Sequence, residues 1–302
     1  RIWVSEILLQ QTTFAHATRY FQDFTSRWPS VESLAAAKDA DVMAAWAGLG
    51  YYARARNLLA CVREVVALGG FPQTVPQLLS LPGIGPYTAG AVAAIAFGAR
   101  EAAVDGNVER VFARLMALRG EWKDEKKRIQ AVVGALVPVE RSGEFAEALM
   151  DLGATLCTPK APKCEACPLS RLCVSREEGA PERYPIKPEK PARPRRYGAV
   201  FILTHNDEIL LEQRPNKGLL GGMLGLPTSE WIGERAKCPE FPHASDWSEI
   251  GLVRHVFTHF SLELTVWRGE LHKARPEGLW IRQADVKGLP SVFAKALKEA
   301  GF

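Results

Sequence analysis

The sequence predicts two folded parts, an all-α half followed by an α+β half, and three observations carry that division. Up to about residue 155, apolar residues recur at three- and four-residue spacing among helix formers, and no alternating strand pattern occurs before residue 196. From Pro181 to Arg196 there are five prolines and six basic residues against two acidic ones, the composition of an extended basic linker. Beyond it the period becomes two: Phe260, Leu262, Leu264 and Val266 alternate with Ser261, Glu263, Thr265 and Trp267. A length of 302 residues is enough for two cores.

In the first half, Ser33 to Ala37 and Asp41 to Trp46 read as helices. So do Asn57 to Leu68 and Tyr87 to Phe97, each closed by glycine or proline. In the second half, Ala199 to Thr204 is a strand, Asn206-Asp207 a turn, and Ile209 to Leu211 the start of the returning strand. A last helix is expected from Ser291, as N-cap, to Ala300. The expected organisation is a helical domain over 1–156, a cysteine loop over 157–173, the linker over 181–196 and an α+β domain with a mixed or antiparallel sheet over 197–302.

Composition narrows the class. Hydrophobic residues at 47% and charged residues at 24% are ordinary for a soluble globular protein. No run approaches 18 apolar residues, so no membrane partner is expected, and no secretory signal opens the chain. Arg1 lies inside a helical pattern without an initiator Met, which implies that the natural N-terminus lies further upstream. A net charge of +4 permits nucleic acid as a partner without requiring it. Of six cysteines, four fall between Cys157 and Cys173 while Cys61 and Cys238 stand alone, the latter two read as buried core thiols. That is the usage of a reduced intracellular protein with a metal site, and not of a disulfide-dense secreted domain.

Five segments carry candidate chemistry. Cys157-x6-Cys164-x2-Cys167-x5-Cys173 gathers four soft ligands, suited to zinc or to an iron–sulfur cluster, with structural zinc slightly ahead on spacing alone. Leu81-Pro82-Gly83-Ile84-Gly85-Pro86-Tyr87-Thr88 permits a tight hairpin whose backbone N–H groups can hold a phosphate; a plain helix–helix turn is the simpler reading. Asp105 is most simply an N-cap. Glu6, among Val4, Ile7, Leu8 and Leu9, sits where desolvation raises a carboxyl pKa, although most helical glutamates are on the surface. His259 is as readily a strand-end histidine as a functional one.

Together these segments resemble the MutY-type branch of the endonuclease III, or helix-hairpin-helix, DNA glycosylase superfamily. The closest agreement is in Trp3-Val4-Ser5-Glu6-Ile7-Leu8-Leu9-Gln10-Gln11-Thr12 and in Gly48-Leu49-Gly50-Tyr51-Tyr52-Ala53-Arg54-Ala55-Arg56-Asn57. The resemblance implies a helix-hairpin-helix domain with a [4Fe–4S] cluster on Cys157, Cys164, Cys167 and Cys173, with Lys160 and Lys163 facing phosphates. It implies Glu6 as general acid and base, Asp105 as the second carboxylate, and Tyr87 and Asn107 as supports. Gln11 and Tyr51 would be the wedge that fills the duplex, Gly83 and Gly85 the hairpin contacts, and Glu147 an adenine contact, while Tyr52 belongs to the core. Gly221 to Pro227 resembles the approach to a Nudix motif, but Ser229 to Arg235 lacks the paired glutamates of a magnesium site. The second half is therefore expected to be a Nudix-like recognition domain. Phe257, Thr258 and His259 match the family's Phe-Ser-His loop for 8-oxoguanine, with Thr258 departing from the serine but keeping the hydroxyl.

Lyase relatives carry a lysine where this chain has Tyr87, so base removal alone is expected, with no Schiff-base nucleophile. The implied substrate is duplex DNA with adenine opposite 8-oxoguanine, and more weakly guanine, acted on by a monomer located inside the cell (with the nucleoid, if bacterial). Three alternatives stand beside this reading: an oxidised-pyrimidine glycosylase/lyase, a non-catalytic lesion-binding protein and, last, a Nudix hydrolase.

Overall fold

The fold is that of a computed structural model, which describes residues 1–10, 12–188, 192–215, 218–235, 239–271 and 275–302. Gln11 and Cys238 lie outside the described residues. Two compact units emerge, one of Arg1–Ala35 with Ala60–Lys190, the other of Ala36–Leu59 with Pro191–Phe302.

The helices before the sheet run α1 (Ile2–Leu9), α2 (Phe14–Arg27), α3 (Val31–Ala35), α4 (Asp39–Ala45), α5 (Ala53–Ala67), α6 (Val75–Leu79), α7 (Pro86–Phe97), α8 (Gly106–Leu115), α9 (Trp122–Leu136), α10 (Ser142–Asp151) and α11 (Val174–Glu177). No strand precedes residue 195 among the described residues, as the periodicity predicts. Helix α5 starts four residues ahead of the expected Asn57.

In the first unit α7 is the central helix. Thr88 to Ala94 are all buried, because the small residues of this stretch let neighbours approach closely. A Cβ on Gly90 would stand 2.7 Å from the Ala102 carbonyl oxygen. Pro86 opens the helix at its first position, where a missing N–H costs nothing, and Gly98 closes it at φ 66°. Helix α1 packs against α2 and α7, and its Trp3, Ile7 and Leu8 are buried. Val108, Val111, Phe112, Ile129, Val133 and Leu149 join α8, α9 and α10 in one core. A π-helical turn, Leu152–Leu156, continues α10 toward the cysteines.

The second unit is built on a sheet of β1 (Arg195–His205), β2 (Glu208–Gln213), β3 (Leu224–Gly225), β4 (Ser248–Val256), β5 (Ser261–Glu270) and β6 (Leu279–Arg282), with α12 (Ser291–Glu299) packed against β4 and β1. The order is β3-β2-β1-β5-β4, with β6 also pairing β2; β1 and β5 run parallel and the other pairs antiparallel. The alternation read in the sequence is the pleat of β5, with Leu262, Leu264 and Val266 buried. The Ser229 to Arg235 segment forms no helix; it meets β1 at an isolated bridge between Ile232 and Tyr197 and through Ser229, next to a bridge between Thr228 and Val200.

Three expectations are corrected. Residues 36–59 group with the second unit: Arg56 donates to the Gly221 carbonyl, Tyr51 bonds Thr258, and Gly288 abuts Ala44. The linker is shorter than 181–196. At its start Pro181–Arg183 is a 3-10 turn and Tyr184 is buried, its hydroxyl donating to Glu178 at 2.7 Å and accepting from Arg119 at 3.0 Å; at its end Arg195 and Arg196 already belong to β1. A buried aromatic ring and satisfied polar groups override the extended tendency of the prolines there. Finally, Pro290 and not Ser291 caps α12, and Ala300 follows the helix as its C-cap. Among the described residues no helix is long and apolar enough to cross a membrane.

Candidate active site

Glu6 lies on the buried face of α1 and is 8% exposed. Its Oε2 accepts a 2.6 Å hydrogen bond from the Tyr87 hydroxyl on α7, and that hydroxyl also lies 3.6 Å from the Met150 sulfur on α10. Burial pushes the Glu6 pKa above the usual glutamate value; the Tyr87 bond works the other way, and the charges of Asp105 and Glu147 add to the rise. Burial and the Glu6 charge likewise raise Tyr87, which stays a neutral donor. Gln10 reaches α7 as well, donating to Thr88 Oγ1 at 3.3 Å.

Asp105 is held differently. As the N-cap of α8, its Oδ1 accepts from the Asn107 and Val108 backbone N–H groups at 2.9 and 2.8 Å, and its Oδ2 from the Asn107 side-chain amide at 2.7 Å. These three N–H donors occupy both oxygens of the side chain at the start of the helix. Asn107 is fixed in turn, its Oδ1 accepting from Arg110 at 2.9 Å, while the same guanidinium donates to the carbonyls of Gly153 and Cys157, each at 2.7 Å. The two carboxyl groups thus occupy contrasting surroundings, one dry and raised, the other solvated by fixed donors. Such a contrast suits a site for acid and electrostatic chemistry together.

The segment between Leu79 and Pro86 joins α6 to α7. Leu81 and Ile84 are buried, Gly83 adopts φ 75°, and Gly85 is the extended N-cap of α7. Glu147 is exposed on α10, its charge felt at Glu6.

The four clustered cysteines are free thiols and all line one small cavity of about 30 Å³ together with Arg114. Among the described residues no three His, Cys, Asp or Glu side chains converge as a single-ion site. Arg114 is 1% exposed, and its guanidinium donates to the carbonyls of Cys157, Thr158, Pro159 and Tyr184 and to the Cys157 sulfur. Lys160 and Lys163 are exposed. The sulfur-lined cavity and a buried cation beside it fit an anionic thiolate-bound cluster. Sequence reading missed Arg110 and Arg114. No sequence signal marks them, because their partners are backbone carbonyls of a distant loop.

In the second unit Phe257 to Phe260 forms a tight turn, closed by the Phe257 N–H on the Phe260 carbonyl at 2.9 Å. Phe257 stacks on Trp231 at 5.8 Å and 24°, with Phe260 at 5.0 Å and His255 at 4.5 Å. Thr258 and His259 are left exposed. Tyr51 is 45% exposed and Tyr52 buried, as the sequence predicts, and the Tyr51 hydroxyl lies 2.6 Å from Thr258 Oγ1.

Comparison with known proteins agrees with both halves. Residues 4–136 match the HhH-GPD superfamily of base excision DNA repair proteins, and residues 198–299 match the NUDIX domain. The chain is similar to the adenine DNA glycosylase of Homo sapiens, at 34% identity over 88% of this chain and 60% of that protein. It is also similar to the adenine DNA glycosylase of Buchnera aphidicola (subsp. Schizaphis graminum), at 29% identity over 99% of this chain and 90% of that protein. A solved thermostable thymine-DNA glycosylase superposes with a TM-score of 0.53 and 32% identity, covering 59% of this chain and 83% of that one. The chain belongs to the MutY-type adenine DNA glycosylases. Glu6, Tyr87 and Asp105 all fall within the segment matched to the HhH-GPD superfamily, and the Phe257–Phe260 turn within that matched to the NUDIX domain.

Proposed function

We propose that this protein removes adenine paired with 8-oxoguanine, and more weakly with guanine, from duplex DNA, leaving the strand intact. The observation that carries the reading is the pair of carboxyls: Glu6, buried and raised, on the Tyr87 hydroxyl, and Asp105 clasped by three N–H donors. A stacked adenine is out of reach of both, so it is first turned out of the duplex, with Tyr51 and Gln11 filling the gap. Glu6 protonates N7 of the extruded base. As the C1′–N9 bond breaks, the Asp105 carboxylate stabilises the positive charge growing on the sugar, and a water activated by Glu6 completes hydrolysis. Glu147 contacts the base.

Tyr87 stands where a lyase needs an amine, which favours hydrolysis without strand cleavage. The Gly83 and Gly85 hairpin holds phosphate through backbone N–H groups, and the Phe257–Thr258–His259 turn reads the oxidised guanine. Cys157, Cys164, Cys167 and Cys173 would hold a [4Fe–4S] cluster, which would tie together the loop that bears Lys160 and Lys163.

The test is Glu6→Gln in a single-turnover assay. The variant should bind the lesion duplex as tightly as the parent while adenine release falls by about 10²–10⁴-fold, the usual worth of a positioned acid. Release at the parental rate would overturn the assignment.

A further inference from the structure

Tyr51 is an exposed aromatic side chain in a backbone conformation that L-residues avoid. Gly50 and Tyr51 have successive φ values of 68° and 48°. Glycine adopts this region freely, but a tyrosine there stores strain that its surroundings must hold. Two side chains do the holding from beneath. The Trp46 indole N–H donates to the Gly50 carbonyl at 3.0 Å, and Arg54 donates to the Leu49 and Gly50 carbonyls at 3.2 and 3.4 Å.

The same guanidinium lies over both aromatic rings, 5.2 Å from the Trp46 centroid and 5.6 Å from that of Tyr51. A planar cation with forked donors can grip two carbonyls and support a ring at once, which an ammonium cannot. Burial lowers the Arg54 pKa to about 10, which still leaves it charged at neutral pH. At the other end of the ring the Tyr51 hydroxyl is tied to Thr258 Oγ1 at 2.6 Å. Both residues belong to one compact unit, since Ala36–Leu59 group with Pro191–Phe302.

We propose that Arg54 is the positioning residue for the Tyr51 wedge, and that through the Tyr51–Thr258 hydrogen bond the 48–51 turn and the 257–260 turn form one preassembled DNA-entering jaw. The inference rests on the wedge and lesion-reading roles given above. Its consequence is that the wedge is rigid before DNA arrives, so the ordering entropy of insertion is already met. Arg54 touches no reacting atom and acts only through Tyr51.

The experiment compares Arg54→Met with the parent on two substrates, adenine opposite 8-oxoguanine in a duplex and the same adenine strand without its complement. An unstacked adenine needs no wedge. The variant should lose roughly tenfold or more on the duplex relative to its loss on the single strand, and the double variant with Tyr51→Ala should be no slower on the duplex than Tyr51→Ala alone. A 2-aminopurine probe beside the lesion should brighten on binding the parent and stay dim with Arg54→Met. Equal losses on both substrates, additive losses in the double variant, or an unchanged 2-aminopurine signal would overturn the proposal. Should Arg54→Met melt more than about 10 °C below the parent, Arg54→Lys, which keeps charge and stem, is read by the same substrate ratio and probe. A parent chain that fails on the duplex would instead count against the enzymatic reading, a separate result.

Discussion

Glu6 shows how a single position can be legible by chemistry and yet need the fold to become interpretable. Its apolar neighbours in the sequence predict a desolvated carboxyl, and it is buried. What the sequence could not show is Tyr87, 81 positions away, whose hydroxyl opposes the shift by stabilising the charged form. The sign of its removal follows. A general acid works while protonated, so adenine release should fall as pH rises through the Glu6 pKa. Tyr87→Phe deletes the bond that lowers that pKa, so the alkaline limb of the profile should move to higher pH, measured as single-turnover rate against pH. A limb that stays in place or moves to lower pH would contradict the arrangement. Asp105 was legible as an N-cap, and its hydrogen bonds to the start of α8 are those of one; the catalytic role that the resemblance implies is the proposal made above.

The elements around Asp105 explain why it is so closely held. The π turn after α10 brings Gly153 against Asn107, where an added Cβ would lie 2.6 Å from the Asn107 Cβ and 3.1 Å from its Cα. Neither atom can swing away. Gly153→Ala should therefore cost about 1–3 kcal/mol of stability, as overpacking does, and slow adenine release by displacing Asn107 from Asp105. Thermal melting and single-turnover rate check the two effects; a variant unchanged in both would show that the turn is free to move.

Arg114 is the corresponding anchor for the cysteine loop. Four carbonyls and one sulfur depend on it in a buried place, so Arg114→Met should lose on the order of 3 kcal/mol or more and release the loop. The urea midpoint and the visible absorbance of the proposed iron–sulfur cluster should both fall. A variant with full absorbance and an unchanged urea midpoint would contradict that role. No sequence pattern distinguishes a buried arginine of this kind from a surface one, because its partners are backbone carbonyls from a distant loop. The helical period of the first half and the alternation along β5, by contrast, were readable, since they depend only on near neighbours.

At the scale of the whole molecule, the change of period near residue 196 located the second fold but not its full membership. Ala36–Leu59 read as ordinary helical sequence and group instead with the sheet, through contacts with Gly221, Thr258 and Gly288. Linear boundaries cannot reveal such an interleaving, because the deciding contacts span more than 160 positions. The prolines did locate the joint, yet Tyr184 draws its first residues into the helical unit and Arg195 its last into the sheet. The central claim concerns the chemistry that these two units support, and it is tested most directly by single-turnover treatment of a labelled duplex bearing adenine opposite 8-oxoguanine. Strand breakage that develops only after alkali is the predicted result, marking an abasic site left in an uncut strand. Breakage without alkali, or none even after it, would contradict a glycosylase that works through Glu6 and Asp105 alone.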